Sequence, residues 1–225
     1  MLLAPDDVFD YSKIIEQTEA HFGYKEAPVI LNGKLVPGIG GGICQVSSTL
    51  YNAVLRSGLE IVERRNHSLP VSYVPLGQDA TFASGYINFK FRNNTDSYLL
   101  IRTVTTGQNV TVKLFGHMSS SLTYEIESKI IATISPPVKY VHNPSLRRGT
   151  TRPISTGKAG YVVETYRYKK QDGVVVGKEL ISKDRYSPVP TLVAANTGDI
   201  KPDEGKPAEP GSPLLEDGVK GPTFR

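Results

Sequence analysis

One cysteine and four histidines are all the thiols and imidazoles that a chain of 225 residues carries. A single cysteine excludes an intramolecular disulfide and any multi-cysteine metal centre. No apolar run is long enough to cross a membrane as a helix, and Met1-Leu2-Leu3-Ala4-Pro5 is too short for a secretory leader. No zinc-ligand spacing and no recognisable nucleic-acid-binding motif occur, so nucleic acid is not an expected partner. The net charge is only +4, and an apolar content of 39% is enough to build two modest domains.

The lone cysteine stands in Gly40-Gly41-Gly42-Ile43-Cys44-Gln45, after three glycines and before an amphipathic stretch. From Gln45 to Arg56 the apolar positions Val46, Leu50, Ala53 and Val54 follow the spacing of a helix with one buried face, and Ser57-Gly58 supplies a stop. A cysteine at a helix N-terminus feels the positive end of the helix dipole, which favours thiolate, the nucleophilic form. Preceding glycines allow close approach of a substrate and offer N–H donors to a developing oxyanion. The opposing interpretation is a small buried hydrophobe without chemistry, the usual lot of a free cysteine.

A nucleophilic cysteine needs a base, and His67 is the candidate. His21 and His117 lie in polar, turn-like surroundings, and His142 lies in an expected loop of a second domain. His67 follows the strand-like Leu59-Glu60-Ile61-Val62, so helix, turn and strand can return it to Cys44. Asp79 is the candidate for orienting the imidazole, with Asn66 or a backbone carbonyl as rivals. An Asx-turn is the competing role for Asp79. Cys44, His67 and Asp79 also form a weak candidate set of metal ligands.

Gly38 to Ala53, with Glu63 to Thr81 and the opening Leu3-Ala4-Pro5-Asp6-Asp7-Val8-Phe9, closely resembles the signature of the VanW family over about residues 1–117. The resemblance implies a bacterial, mostly Gram-positive protein from a family named after glycopeptide-resistance clusters. In some members it implies L,D-transpeptidation of peptidoglycan through the motif cysteine, here Cys44. An aspartate is expected in Gly85-Tyr86-Ile87-Asn88-Phe89, where this chain has Asn88.

From Leu122 the chain becomes short β-prone runs at Tyr124–Ser128, Ile130–Ile134, Tyr161–Tyr168 and Val174–Ser182. Gly149, Gly157, Gly160, Gly173 and Gly177, with Arg148-Gly149-Thr150 and Val175 to Ile181, resemble the five-glycine (G-five) domain over about residues 122–197. That resemblance implies an extended, β-rich extracellular module binding N-acetylglucosamine-containing polymers or mediating adhesion. Lys+Arg against Asp+Glu is 10 to 10 in residues 1–119, 12 to 6 in 120–197 and 4 to 6 in 198–225. A basic second module attracts anionic wall polymers at long range. The Pro/Gly-rich stretch 198–225 is expected to be disordered.

The expected fold class is therefore α+β. A VanW-like domain (1–119) has helices at Tyr11–His21 and 45–56 and antiparallel strands at Tyr86–Phe91, Leu99–Val104 and Val110–Phe115. An all-β G-five-like domain (120–197) and a tail follow. The expected function is a cell-wall enzyme of L,D-transpeptidase type. Cys44, His67 and Asp79 are its catalytic residues, and Gly40, Gly41, Gly42, Gln45, Ser47, Ser48 and Asn66 contact substrate. Stem peptides of peptidoglycan are the expected partner, with glycan on the second domain and no cofactor or metal. The expected location is extracytoplasmic, in the wall or membrane-anchored, with the export signal encoded upstream. The alternative is a non-catalytic wall- or polysaccharide-binding protein.

Overall fold

Two local signals set the first helix. Asp10 adopts an extended backbone and its carboxylate accepts from Ser12 N–H, while Gly23 ends the helix with its N–H on the Thr18 and Glu19 carbonyls. In the computed structural model, which describes residues 1–31, 34–196 and 215–216, the elements β1 (Leu2–Leu3), β2 (Val8–Asp10), α1 (Tyr11–Phe22), β3 (Glu26–Leu31) and β4 (Lys34–Ile39) open the chain. They are followed by α2 (Ile43–Arg56), β5 (Glu60–Glu63), β6 (Lys90–Arg92), β7 (Leu99–Thr106) and β8 (Asn109–Phe115). The second domain consists of β9 (Leu122–Ile134), β10 (Val138–His142), β11 (Thr151–Ser155), β12 (Gly160–Gln171), β13 (Val174–Tyr186) and β14 (Thr191–Ala195).

The first domain is α+β. Sheets in the order β1-β7-β8 and β2-β6-β5 pack around α2, and β3 and β4 form a separate antiparallel pair. Helix α2 buries Ile43, Cys44, Ser47, Ser48, Leu50, Tyr51, Val54 and Leu55, two adjacent stripes of helical period. They meet Phe9, Tyr11, Ala80, Phe82, Phe89 and Phe91 in one core. The buried face differs from the expected one, because it is centred on Ser47 and Ser48 while Val46 is only half-buried. Both serines fit there because the Ala80 backbone needs partners: Ser47 Oγ donates to Ala80 O, and Ala80 N donates to Ser48 Oγ (2.9 Å).

Several expected boundaries move. Helix α2 begins two residues earlier than expected, so Cys44 lies within its first turn. Residues 86–91 shorten to β6, since an Ala83–Ile87 bridge turns the chain just before it. Tyr124–Ser128 and Ile130–Ile134 are one strand, β9, whose pairing with β12 runs through Lys129 opposite Glu164 and shifts register between Ile130 and Ala132. His142 ends β10 instead of lying in a loop, and His21 is in the last turn of α1. Of the tail expected to be disordered, only Leu215–Glu216 is described. It forms β15, antiparallel to β3 with Leu215 opposite Leu31; the rest of that stretch lies outside the described residues.

The second domain has two sheets, β13-β12-β9 and β10-β14-β11, with β10 and β14 parallel. On the first sheet Val163, Thr165, Arg167, Asp184 and Tyr186 are buried, and most of this burial is against the first domain. Ile126 and Ile181 pack on the first-domain core. Arg167 Nη1 donates to Leu59 O (2.8 Å), Gln78 Nε2 to Ser128 Oγ (3.2 Å) and Ser187 N to Ser68 O (2.8 Å). Glycines make this approach possible. A Cβ at Gly77 (φ +82°) would fall 2.0 Å from Thr165 Oγ1, and one at Gly58 (φ +72°) 2.2 Å from the Tyr124 ring.

Candidate active site

Cys44 enters the site on the first turn of α2, after Gly42 at the N-cap with φ +96°. The first turn of any helix presents N–H groups that no carbonyl of the same helix reaches. Its thiol is fully buried in the core. Phe82 N–H donates to Cys44 Sγ (3.2 Å), and Sγ lies 3.5 Å from Phe82 O. A backbone N–H on sulfur favours negative charge there, while burial in the apolar core and the facing Phe82 carbonyl oppose it. Gly41, Gly42 and Ile43, but not Cys44, line an apolar cavity of about 490 Å³ together with Tyr11, Ile15 and Val46. Tyr11 fastens α1 to this turn by donating its hydroxyl to Ile43 O (2.9 Å).

The extended segment 79–82 connects the thiol to the imidazole. Ala80 and Phe82 present their backbones to α2, as described, and Thr81 N–H donates to Arg65 O (2.8 Å), facing the His67 segment. His67 and Asp79 are both fully buried. Asp79 Oδ2 accepts from His67 Nδ1 (2.6 Å) and from His67's own backbone N–H (2.7 Å). An ionised carboxylate has no proton to give, so Nδ1 carries the hydrogen that joins the pair. On the other side of the imidazole Tyr73 Oη lies 3.2 Å from Nε2, its ring edge-on to the imidazole.

The other oxygen of Asp79 is satisfied from outside the expected set. Oδ1 accepts from Tyr186 Oη (2.5 Å) and Arg64 Nη2 (3.2 Å). Arg64 continues to Asp184, with Nη1 2.6 Å from both carboxylate oxygens, and its guanidinium stacks over the Tyr51 ring at 5.0 Å. Burial by itself would raise the Asp79 pKa. The His67 hydrogen bond and the Arg64 charge overcome it and hold the carboxyl below its ordinary range. Burial and then the Asp79 charge push the Tyr186 phenol upward, so it remains a donor. Burial pushes Tyr51 up to about 12.

The remaining expected residues are placed as follows. Ser47 and Ser48 are buried and hydrogen-bonded to the Ala80 backbone. Asn66 Nδ2 donates to His67 O (2.8 Å) and Arg185 O (2.9 Å), turned toward the second domain and away from the imidazole. Gln45 is exposed, Gly41 and Gly42 are half-exposed, and Gly40 is buried. Asn88 has a structural explanation: its Oδ1 accepts from Ser12 N (3.0 Å) while Nδ2 donates to Asp10 Oδ1 (2.7 Å). An aspartate there would set two carboxylates against each other.

Arg64, Tyr73, Asp184 and Tyr186 were not singled out from the sequence. Arg64 and Tyr73 lie inside the conspicuous run around His67, which was the available signal. The Oγ1 of fully buried Thr81 has no hydrogen-bond partner among the described residues. Among those residues, no group of three or more His, Cys, Asp or Glu side chains gathers to hold a metal, and no helix is long and apolar enough to cross a membrane.

Comparison with known proteins agrees with the two-part organisation. The VanW like protein family model matches residues 1–115, and the G5 domain model matches residues 125–198. "Uncharacterized protein YoaR" of Bacillus subtilis (strain 168) is 44% identical over 111 residues, which are 49% of this chain and 37% of that protein. "Vancomycin B-type resistance protein VanW" of Enterococcus faecalis (strain ATCC 700802 / V583) is 29% identical over 131 residues, 56% of this chain and 48% of that protein. The chain thus spans less than half the length of either relative. The solved "IgA1 Protease G5 domain structure" is 30% identical, with 36% of this chain and 95% of that chain covered and a TM-score of 0.27. With its glycine turn, cysteine-bearing helix and histidine segment all inside the matched region, the chain belongs to the VanW-like family and carries a G5 domain after the VanW region.

Proposed function

We propose that the chain is a cell-wall-associated protein whose VanW region performs cysteine-dependent acyl transfer on peptidoglycan stem peptides, as an L,D-transpeptidase does. The observation that carries this reading is the buried His67–Asp79 pair at 2.6 Å, held next to the segment whose Phe82 N–H reaches Cys44 Sγ. Two titratable groups locked together in the core are expensive to keep for packing alone.

In the proposed reaction His67 Nε2 takes the Cys44 thiol proton, and Sγ attacks the carbonyl carbon of a stem-peptide amide. Collapse of the tetrahedral intermediate breaks the C–N bond, leaves a thioester on Cys44 and passes the proton from His67 to the departing amine. An acceptor amine then attacks the thioester, gives its proton to His67, and the thiolate leaves to be reprotonated. Water in place of the amine gives carboxypeptidase activity. Backbone N–H groups around Gly41 and Gly42 stabilise the oxyanion. Gln45, exposed on the first turn of α2, contacts the stem peptide. For this chemistry the Tyr73 side chain must leave Nε2 and the thiol must become reachable. The G5 domain, by the same proposal, holds wall glycan and carries the protein in an extracytoplasmic location.

The second reading is a non-catalytic wall-binding protein, and the full burial of Cys44 within the hydrophobic core favours it. Alkylation by iodoacetamide across pH separates the two. The catalytic reading expects Cys44 to react well below about pH 8.5, the reference thiol value, to lose that advantage in His67→Ala, and to cross-link muropeptides. An inert thiol, or one indifferent to His67→Ala, leaves the binding protein.

A further inference from the structure

The Asp79 carboxylate is held from both domains. Three of its hydrogen bonds come from the first domain: two from His67 and one from Arg64. The remaining one comes from Tyr186 at the end of β13, and the same hydroxyl accepts Gly77 N–H at 2.7 Å. Tyr186 is fully buried and is aimed by its strand, with Tyr161 opposite it on β12. Two residues earlier on β13, Asp184 grips Arg64, and Ser182 Oγ donates to Asp184 Oδ2 at 3.0 Å. A spacer module joined by a linker has no need to send a hydroxyl into the orienting carboxylate of its neighbour.

We propose that Tyr186 is a positioning residue for the VanW site. Its hydroxyl fixes Asp79, Asp79 fixes the His67 tautomer and ring, and the pair is complete only when the G5 domain is docked. The G5 domain is on this view part of the catalytic unit as well as a wall anchor. The proposal rests on the acyl-transfer reading for its catalytic meaning, but the geometry it predicts around His67 does not. The groups that decide His67's behaviour are Asp79 on Nδ1, Tyr73 on Nε2, and Arg64, Asp184, Tyr51 and Tyr186 around Asp79.

The test is side-chain 15N NMR of His67 in the full chain, titrated through the neutral range, for the wild type, Tyr186→Phe and Arg167→Met. Tyr186→Phe removes one oxygen and keeps the ring. Arg167→Met breaks the hydrogen bond to Leu59 O across the same interface without touching Asp79. Relieved of the Tyr186 donor, the carboxylate gives more of its charge to His67. The His67 midpoint in Tyr186→Phe therefore rises by about one pH unit, the size of a hydrogen bond to a charged group. Arg167→Met leaves the midpoint in place. Ser128→Ala, a milder break of the same interface, replaces Arg167→Met if that variant does not fold. An unmoved midpoint in Tyr186→Phe overturns the proposal, and so does an equal displacement in an interface control whose two domains still unfold in one transition. A His67 that answers to Tyr186 beside an inert Cys44 removes the acyl-transfer reading and keeps the positioning role. A reactive Cys44 beside an unresponsive His67 does the reverse.

Discussion

In the first domain Phe82, Phe89 and Phe91 are sealed inside with Tyr51, Val54 and Leu55. In the second, β10 and β11 are exposed at every position, and much of the deep burial goes to Thr165, Arg167, Asp184 and Tyr186. The first domain thus has an apolar core that folding can rest on, with each buried large side chain contributing about 1.5–3 kcal/mol. The second has long hydrogen-bonded strands interrupted by register shifts but little of its own to bury, and its best-buried polar groups are those that reach across. Charge differs in the same way. Across the outer face of the β13-β12-β9 sheet, lysines pair locally: Lys129 with Glu127, Lys183 with Glu164, and Lys178 over the Tyr166 ring at 4.1 Å. Those exposed pairs contribute little to stability. The Arg64–Asp184 and Arg64–Asp79 pairs are enclosed at 4–7% and 1–4% side-chain exposure, and their loss is expensive. The second domain depends on the first for its burial, and the first depends on the second to satisfy the charges around its histidine.

Arg64→Met breaks that exchange most severely. It leaves Asp184 buried without its cation and deprives Asp79 of its own, at a cost of about 3–5 kcal/mol. Calorimetry of the wild type should give one cooperative transition, whereas the variant should release the second domain in a separate, earlier one. A single transition displaced by less than about 1 kcal/mol would mean that the two domains do not share their stability through this arginine.

Acid acts on the same network more gradually. The Asp79 pKa is lower in the folded protein than in the unfolded chain. Its contribution to stability is therefore present above the unfolded value, about 3.9, and is lost as pH falls through the folded one. Thermal melts of the wild type should hold down to about pH 5 and then decline. Those of Asp79→Asn should start lower and decline less steeply. Parallel acid limbs in the two proteins would place the acid sensitivity elsewhere.

Asn88→Asp is the smallest of the three and should be confined to the first domain. Losing the amide donor to Asp10 and facing two carboxylates should cost about 1–2 kcal/mol. Adding Asp10→Asn, which restores one donor to the pair, should recover most of it in denaturant titrations. If the single substitution is neutral, the Asn88–Asp10 bond does not explain why this chain carries asparagine there.

Much of the first domain was legible because its signals are local. The glycine turn, the helical spacing after it and the Ser57-Gly58 stop operate within a few residues, and α1 and α2 follow them to within two residues. His67 and Asp79, twelve positions apart in one dense run, could be paired from sequence because so few histidines compete. The burial of Ser47 and Ser48 is not legible, since nothing in a helical pattern tells whether a hydroxyl meets solvent or a backbone crossing over it. β10 and β11 were missed because fully exposed strands lack the alternation that marks a half-buried one.

By itself, the sequence determined the two-part organisation, the glycine–cysteine–helix turn and the pairing of one histidine, His67, with Asp79. Only the tertiary structure decided that Tyr186 and Asp184 complete the surroundings of that histidine, from 107 residues beyond Asp79 and 120 beyond Arg64. The reason is physical: periodicity and propensity report which face of an element is buried. Which distant charge satisfies a buried carboxylate is fixed only when two folded surfaces dock, with Gly58 and Gly77 leaving room for them to meet.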